Sequence, residues 1–263
     1  MKNSRYPILL LVLLCPMAAA AQSAFDGTWK VDMSKVQMPK QPDVVVVQNG
    51  EYACKTCVPP FQVKADGQDH AVSGHPYYDS VALTVVDART VKETDKKAGK
   101  VVTIVTTTVA PDGKSAHFEF TDSSNTNGAP VTGSGEITRV AAGPAGSHAA
   151  SGSWVTSSFD SLSDNGTTFT FKEEGGVLSM STPAGQSYQA KIGGAEAPYK
   201  GDPGITSVSV KESGSNVLVE TDKRDGKVIS VSTSTLSADG KSMKIAVEDK
   251  LHNRSSSYVA IRQ

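Results

Sequence analysis

The stretch "ETDKRDGKVI", Glu220 to Ile229, has a near copy earlier in the chain, "ETDKKAGKVV" from Glu93 to Val102. The two lie 127 residues apart, and the likeness extends well beyond them. Laying residues 74–122 on 201–249 without a gap gives 18 identities in 49 positions. Gly74 meets Gly201, Pro76 meets Pro203, and "DGKS" at Asp112 meets "DGKS" at Asp239. An ungapped match of that length reads as duplication of one unit. The units are placed at residues 22–140 and 152–263, joined by the small-residue stretch "AAGPAGSHAAS", Ala141 to Ser151.

Each copy carries the pattern of a hairpin meander. "SVALTVV" and "SVSVKES" read as strands, then "TVKETDK" and "VLVETDK", then "VVTIVTTTV" and "VISVSTSTL", then "AHFEF" and "MKIAV". Asp-Gly turns separate them, because such turns need the positive φ that glycine adopts cheaply. Apolar residues alternate with Ser, Thr, Lys and Glu, so one face of each sheet is dry and the other wet. A one-sided meander must cover that face or close on itself. The fold class is therefore all-β: a tandem antiparallel up-and-down meander, two small barrels of roughly eight or nine strands each. The charged repeats are read as hairpin turns and solvated strand ends. Glu93 with Asp95, and Glu220 with Asp222, are read the same way.

The first residues, "MKNSRYPILLLVLLCPMAAAAQ", combine Lys2 and Arg5 with an apolar run from Ile8 to Leu14 and an A-x-A site before Gln22. That is the pattern of a cleaved signal peptide over residues 1–21, so the expected location is periplasmic or secreted. Cys15 would leave with it. No later segment approaches the roughly 20 apolar residues of a transmembrane helix. The formal charge is −1 over the full chain, with 26 Lys and Arg against 27 Asp and Glu, and gives no basic field for nucleic acid.

Searching for chemistry returns little. None of the five histidines, His70, His75, His117, His148 and His252, has a metal-ligand spacing, and the expectation is no metal and no cofactor. No nucleophile elbow or phosphate loop is present. "DSLSDNGTTFTF" does not place its acids at the positions of a calcium loop. Cys54 and Cys57 in "YACKTCVPP" are read as a local disulfide without a catalytic role. The alternatives are a redox-active or metal-binding C-x-x-C and unpaired thiols.

Each copy opens with Gly-x-Trp, Gly27-Thr28-Trp29 and Gly152-Ser153-Trp154, and each ends with an arginine, Arg139 and Arg262. This resembles the calycin signature of lipocalins and their relatives, in which a first-strand tryptophan closes the barrel floor under a last-strand arginine. The resemblance implies Trp29 on Arg139 and Trp154 on Arg262, one pair per copy. The segments "FDGTWKVD", "YACKTCVPPFQVKADGQDHAVSGHPYYDSVAL", "GSGEITRVAAGPAGSHAASGSW" and "GDPGITSVSVKESG" also resemble a family of exported bacterial proteins of uncharacterised function, which implies an envelope protein built from lipocalin-like halves. Two readings of function follow. One is a non-enzymatic barrel that binds a small apolar or amphipathic ligand at residues the sequence does not name. The other is a structural or partner-binding protein whose barrels are filled by their own side chains. Thiol redox chemistry at the C-x-x-C pair is the third.

Overall fold

The computed structural model describes residues 23–125, 127 and 129–263; residues 1–21, expected from the sequence to be a signal peptide, and Cys15 within them lie outside the described residues. In chain order the strands are β1 (Gly27–Gln37), β2 (Asp43–Gln48), β3 (Glu51–Cys54), β4 (Phe61–Lys64), β5 (His70–Ala71), β6 (Ser80–Val85), β7 (Thr90–Lys97), β8 (Lys100–Val109), β9 (Ser115–Asp122) and β10 (Val131–Ala142). They continue as β11 (Gly152–Leu162), β12 (Thr168–Glu174), β13 (Val177–Ser181), β14 (Ser187–Lys191), β15 (Ala197–Lys200), β16 (Ser207–Glu212), β17 (Val217–Arg224), β18 (Lys227–Leu236), β19 (Ser242–Asp249) and β20 (Arg254–Arg262). Among the described residues one short helix, α1 (Asp164–Thr167), interrupts them. The protein is all-β, in two antiparallel sheets of ten strands each, more strands than the sequence pattern gave.

The expected turns form. Ala98-Gly99 and Asp225-Gly226 both take positive φ, 48° and 76° in the first pair and 51° and 80° in the second. Two consecutive positive φ values define the primed turn that matches strand twist. The turn amide is capped alike in both places: Ala98 N–H donates to Asp79, and Asp225 N–H to Thr206, the residue 127 positions on.

The sheets do not follow the two copies. One runs β4-β3-β2-β11-β10-β9-β8-β7-β6-β5, and its ladder is left open between β4 and β5. The other is a closed barrel, β1 followed by β12 to β20, with β1 paired to both β12 and β20. Each copy thus gives its first strand to the other: residues 22–140 and 152–263 contribute to both sheets. The expected pairing of Trp29 with Arg139, and of Trp154 with Arg262, is overturned for the same reason. Arg139 stands opposite Trp154 across β10 and β11, and Trp29 opposite Arg262 across β1 and β20.

Chain connectivity gives a physical reason for the exchange. Strands β10 and β11 are joined by residues 143–151, so they pair as a local hairpin. Pairing β10 with β1 instead would close a loop of about a hundred residues, costing about 2 kcal/mol more, while closing β1 onto β20 rather than β10 gives back about 0.6 kcal/mol. The expected linker is also more ordered than a spacer. Ala141 and Ala142 belong to β10, His148 N–H donates to Val47 O, and buried Ser151 bonds the Val47 backbone in both directions. Core packing respects the exchange: Trp29 and Phe25 sit with Leu178, Leu218 and Met243, while Trp154 and Ala150 sit with Val81, Leu83 and Val109.

Candidate functional site

The two tryptophan–arginine pairs close the floors of the two sheets. The guanidinium carbon of Arg262 lies 4.3 Å from the ring centre of Trp29, and that of Arg139 lies 4.1 Å from Trp154. Each arginine also caps three carbonyls. Arg139 donates to Gly113, Ser151 and Ala149 oxygens, and Arg262 to Gly240, Asp26 and Ala24. Each indole N–H donates at 2.9 Å to a carbonyl four residues earlier, Phe25 for Trp29 and Ala150 for Trp154. The glycine of each Gly-x-Trp is explained here. Gly27 and Gly152 have φ of 133° and 144°, and a Cβ on either would lie 2.8 Å from an arginine Nη1. The four closure residues are therefore brought together in pairs, but across the copies.

The acidic residues of the repeat are not solvated strand ends. Asp95 and Asp222 are 7% and 6% exposed, and Glu93 and Glu220 point to the same interior side of β7 and β17. Strand parity carried the signal. Val91, Glu93 and Asp95 alternate along β7 as Leu218, Glu220 and Asp222 do along β17, and Val91 and Leu218 are core residues. Alternation turns the following Lys96 and Lys223 outward, and directly after each aspartate the register shifts by one extra residue on the partner strand, Val102 of β8 and Ile229 of β18.

Each pair is held by a buried tyrosine taken from a different strand. Tyr52 on β3 donates to Glu93 at 2.8 Å, and Tyr188 on β14 donates to Glu220. By register, Phe61 and Tyr188 occupy matching places, as do Tyr52 and Leu178. The hydroxyl has moved one strand along while still serving the same glutamate. Ser230 adds a 2.6 Å bond to Asp222 Oδ2. Burial, the largest influence, pushes all four carboxyls up; Asp95 and Glu220 reach about 8. Within each pair the neighbouring carboxyls act on each other, so each pair titrates as a unit with its proton affinity raised. The outer oxygens of Asp95 and Asp222, Oδ1 in both, accept no bond from any described group.

A cavity of about 480 Å³ opens between the two sheets. The exchange creates it, because the crossing segments 38–42 and 163–167 carry the chain from one sheet to the other beside each other. Met38, Pro39, Asn165 and Gly166 of those segments line it, with Val31 and Met33 of β1 and Phe159 and Leu162 of β11. Polar groups stand at its edge: Tyr77 O–H donates to Asp202 at 2.9 Å, and Gln186 Nε2 donates to the other Asp202 oxygen. A second cavity of about 170 Å³ lies inside the closed barrel, and Phe169, Thr182 and Tyr258 line both. Its inner wall includes Leu218, Glu220, Ser232 and Ser234.

Cys54 and Cys57 are bonded to each other. Cys54 ends β3 and is buried among Val45, Phe61 and Val63. His75 is also buried, stacked on Tyr78 at 4.6 Å, with its Nε2 unpaired among described groups. His148, placed in the linker, reaches Asp87 O at 2.7 Å. One grouping of described side chains has the donors for a cation: His117, Glu136 and Asp160, with ligand atoms within 4.8 Å of one another. Three neighbouring strands supply it, so no sequence spacing could show it. All three side chains are more than a third exposed, and His117 already bonds Glu136 at 3.0 Å. No described helix is long and apolar enough to cross a membrane. Against known proteins, no family model matches this chain, and no curated protein matches it.

Proposed function

We propose that this chain is an exported, lipocalin-like double-barrel protein that binds a small amphipathic molecule in the cavity between its sheets. The cavity itself carries the reading. Its volume falls in the range of small-molecule sites, about 300–1,000 Å³, and its walls are largely apolar with a few polar groups at one side. The Trp29–Arg262 and Trp154–Arg139 contacts support the calycin likeness. The leader-like residues 1–21 support export to the periplasm or medium. The cavity sits between the sheets, and the closed barrel holds only the smaller second one, because core side chains fill most of its interior.

The test is binding of a neutral apolar fluorophore, N-phenyl-1-naphthylamine, and its displacement by 1-decanol. Expected is a fluorescence rise that decanol reverses, and that Leu162→Arg abolishes while the circular dichroism spectrum is kept. A signal no different from buffer would instead favour the structural, filled-barrel reading.

A further inference from the structure

The charged residues that line the two cavities are acidic, and the nearest cation, the Arg224 guanidinium, stands behind Tyr77 of the outer one. Asp122 and Asp202 line the outer cavity and Glu220 the inner one, and no Lys, Arg or His is among the described lining residues of either. Glu220, Ser232 and Ser234 line the inner cavity, which Phe169, Thr182 and Tyr258 divide from the outer one. Next to Glu220 on the same face of β17 is Asp222, 6% exposed, whose Oδ1 accepts no hydrogen bond. The remaining titratable groups that face this pair are the hydroxyls of Tyr188, Tyr199 and Tyr258 and, for Asp222, the carboxylate of Asp202. None of them carries positive charge.

Resting on the binding function proposed above, we infer that the molecule bound is a cationic amphiphile, an apolar chain with a primary ammonium head, and that Glu220, with Asp222 next to it, receives the head in the inner cavity. The ammonium brings three N–H donors and no acceptor. Glu220 and the Ser232 and Ser234 hydroxyls, which line the inner cavity, offer the acceptors, and Asp222 adds negative charge next to Glu220 on the same strand face. The apolar chain then lies back past Phe169 and Tyr258 towards Val31, Met33 and Leu162. An anionic head placed beside Glu220 would meet like charge from Glu220 and Asp222 with no lining cation to offset it. In the empty site the carboxyl pair holds a proton; when the ammonium enters, that proton leaves to solvent and the ammonium keeps its own. Binding therefore releases a proton and tightens as pH rises towards 8, the reverse of what a fatty acid would show.

The experiment is isothermal titration of the mature protein with decylamine, 1-decanol and decanoic acid, each below its aggregation concentration, in two buffers of different ionisation enthalpy. A charge-assisted contact predicts decylamine binding about tenfold to a hundredfold more tightly than the other two. Apparent heats should differ between buffers by release of a proton, and affinity for the amine should rise from about pH 6 to about pH 8. Glu220→Gln should bring the amine down to the level of the alcohol. Should that variant fail to fold, Asp222→Asn replaces it, and the head-group comparison on the unaltered protein decides by itself. Equal affinities for the three heads, or an amine preference that survives in a folded Glu220→Gln protein, would overturn the inference. Decanol binding without amine preference defeats this inference and leaves the binding function standing; no binding by any of the three defeats both.

Discussion

At the scale of single residues, two buried arrangements dominate, and both occur twice. Trp29 is fully buried and Trp154 nearly so, and each joins an indole face, an arginine and three capped carbonyls into one unit. Replacing either with alanine should cost about 3–5 kcal/mol, read from urea midpoints, since a large cavity opens and the guanidinium loses its platform. Gly27→Ala should cost about 1–3 kcal/mol, because the backbone lies in the positive-φ region and the added methyl displaces Arg262. A midpoint equal to the parent's for any of the three would contradict the closure geometry. The buried carboxyl pairs make a separate prediction about pH. Their folded-state pKa values lie above the unfolded ones, so between about 4 and about 8 the folded protein binds more protons than the unfolded chain. Stability is present below that window and is lost as pH rises through it. The surface acids Asp32, Asp66, Asp87 and Asp239 are lowered by hydrogen bonds, so their small contribution has the opposite sign and is lost only as pH falls into the acid range. The melting temperature should fall from pH 5 to pH 8, and the double variant Asp95→Asn, Glu220→Gln should flatten that fall. A flat profile in the parent would place these acids in water after all.

At the scale of elements, most of the architecture was legible. Period-two alternation and Gly turns located the hairpins from β6 to β9 and from β16 to β19, because half-buried strands must alternate and primed turns must have positive φ. The burial of Glu93, Asp95, Glu220 and Asp222 was not read, since charge ordinarily points outward; only parity with Val91 and Leu218 pointed inward. The His117, Glu136 and Asp160 grouping was out of reach because three strands build it. Cys54 and Cys57 were legible by spacing alone. The loop they close is so short that chain entropy gives it at most about 2–4 kcal/mol, and we expect less. The Cys54→Ser, Cys57→Ser protein should keep its circular dichroism spectrum and its probe binding. Loss of binding in that variant would show that the bond shapes the cavity through β3 and β4.

At the scale of the whole molecule, the sequence could not tell which first strand joins which sheet. Both begin Gly-x-Trp and both last strands end in arginine, so the local chemistry of the two pairings is the same. Connection lengths decide between them: residues 143–151 make β10 and β11 neighbours, and β1 is left to complete the barrel of β12 to β20. The crossing segments then line the inter-sheet cavity, so strand exchange and the proposed ligand site are one feature. Inter-sheet contacts such as Arg254 with Asp43 at 2.6 Å and Tyr77 with Asp202 follow from it. The most direct test is a cross-link in the Cys54→Ser, Cys57→Ser background. Thr28 stands opposite Thr170, with hydroxyl oxygens 3.0 Å apart, whereas without exchange it would take the place of Ser153 opposite Val44. Mass spectrometry of peptides from the oxidised protein should find a disulfide in Thr28→Cys with Thr170→Cys and none in Thr28→Cys with Val44→Cys. A bond in the second protein and none in the first would contradict the exchanged fold.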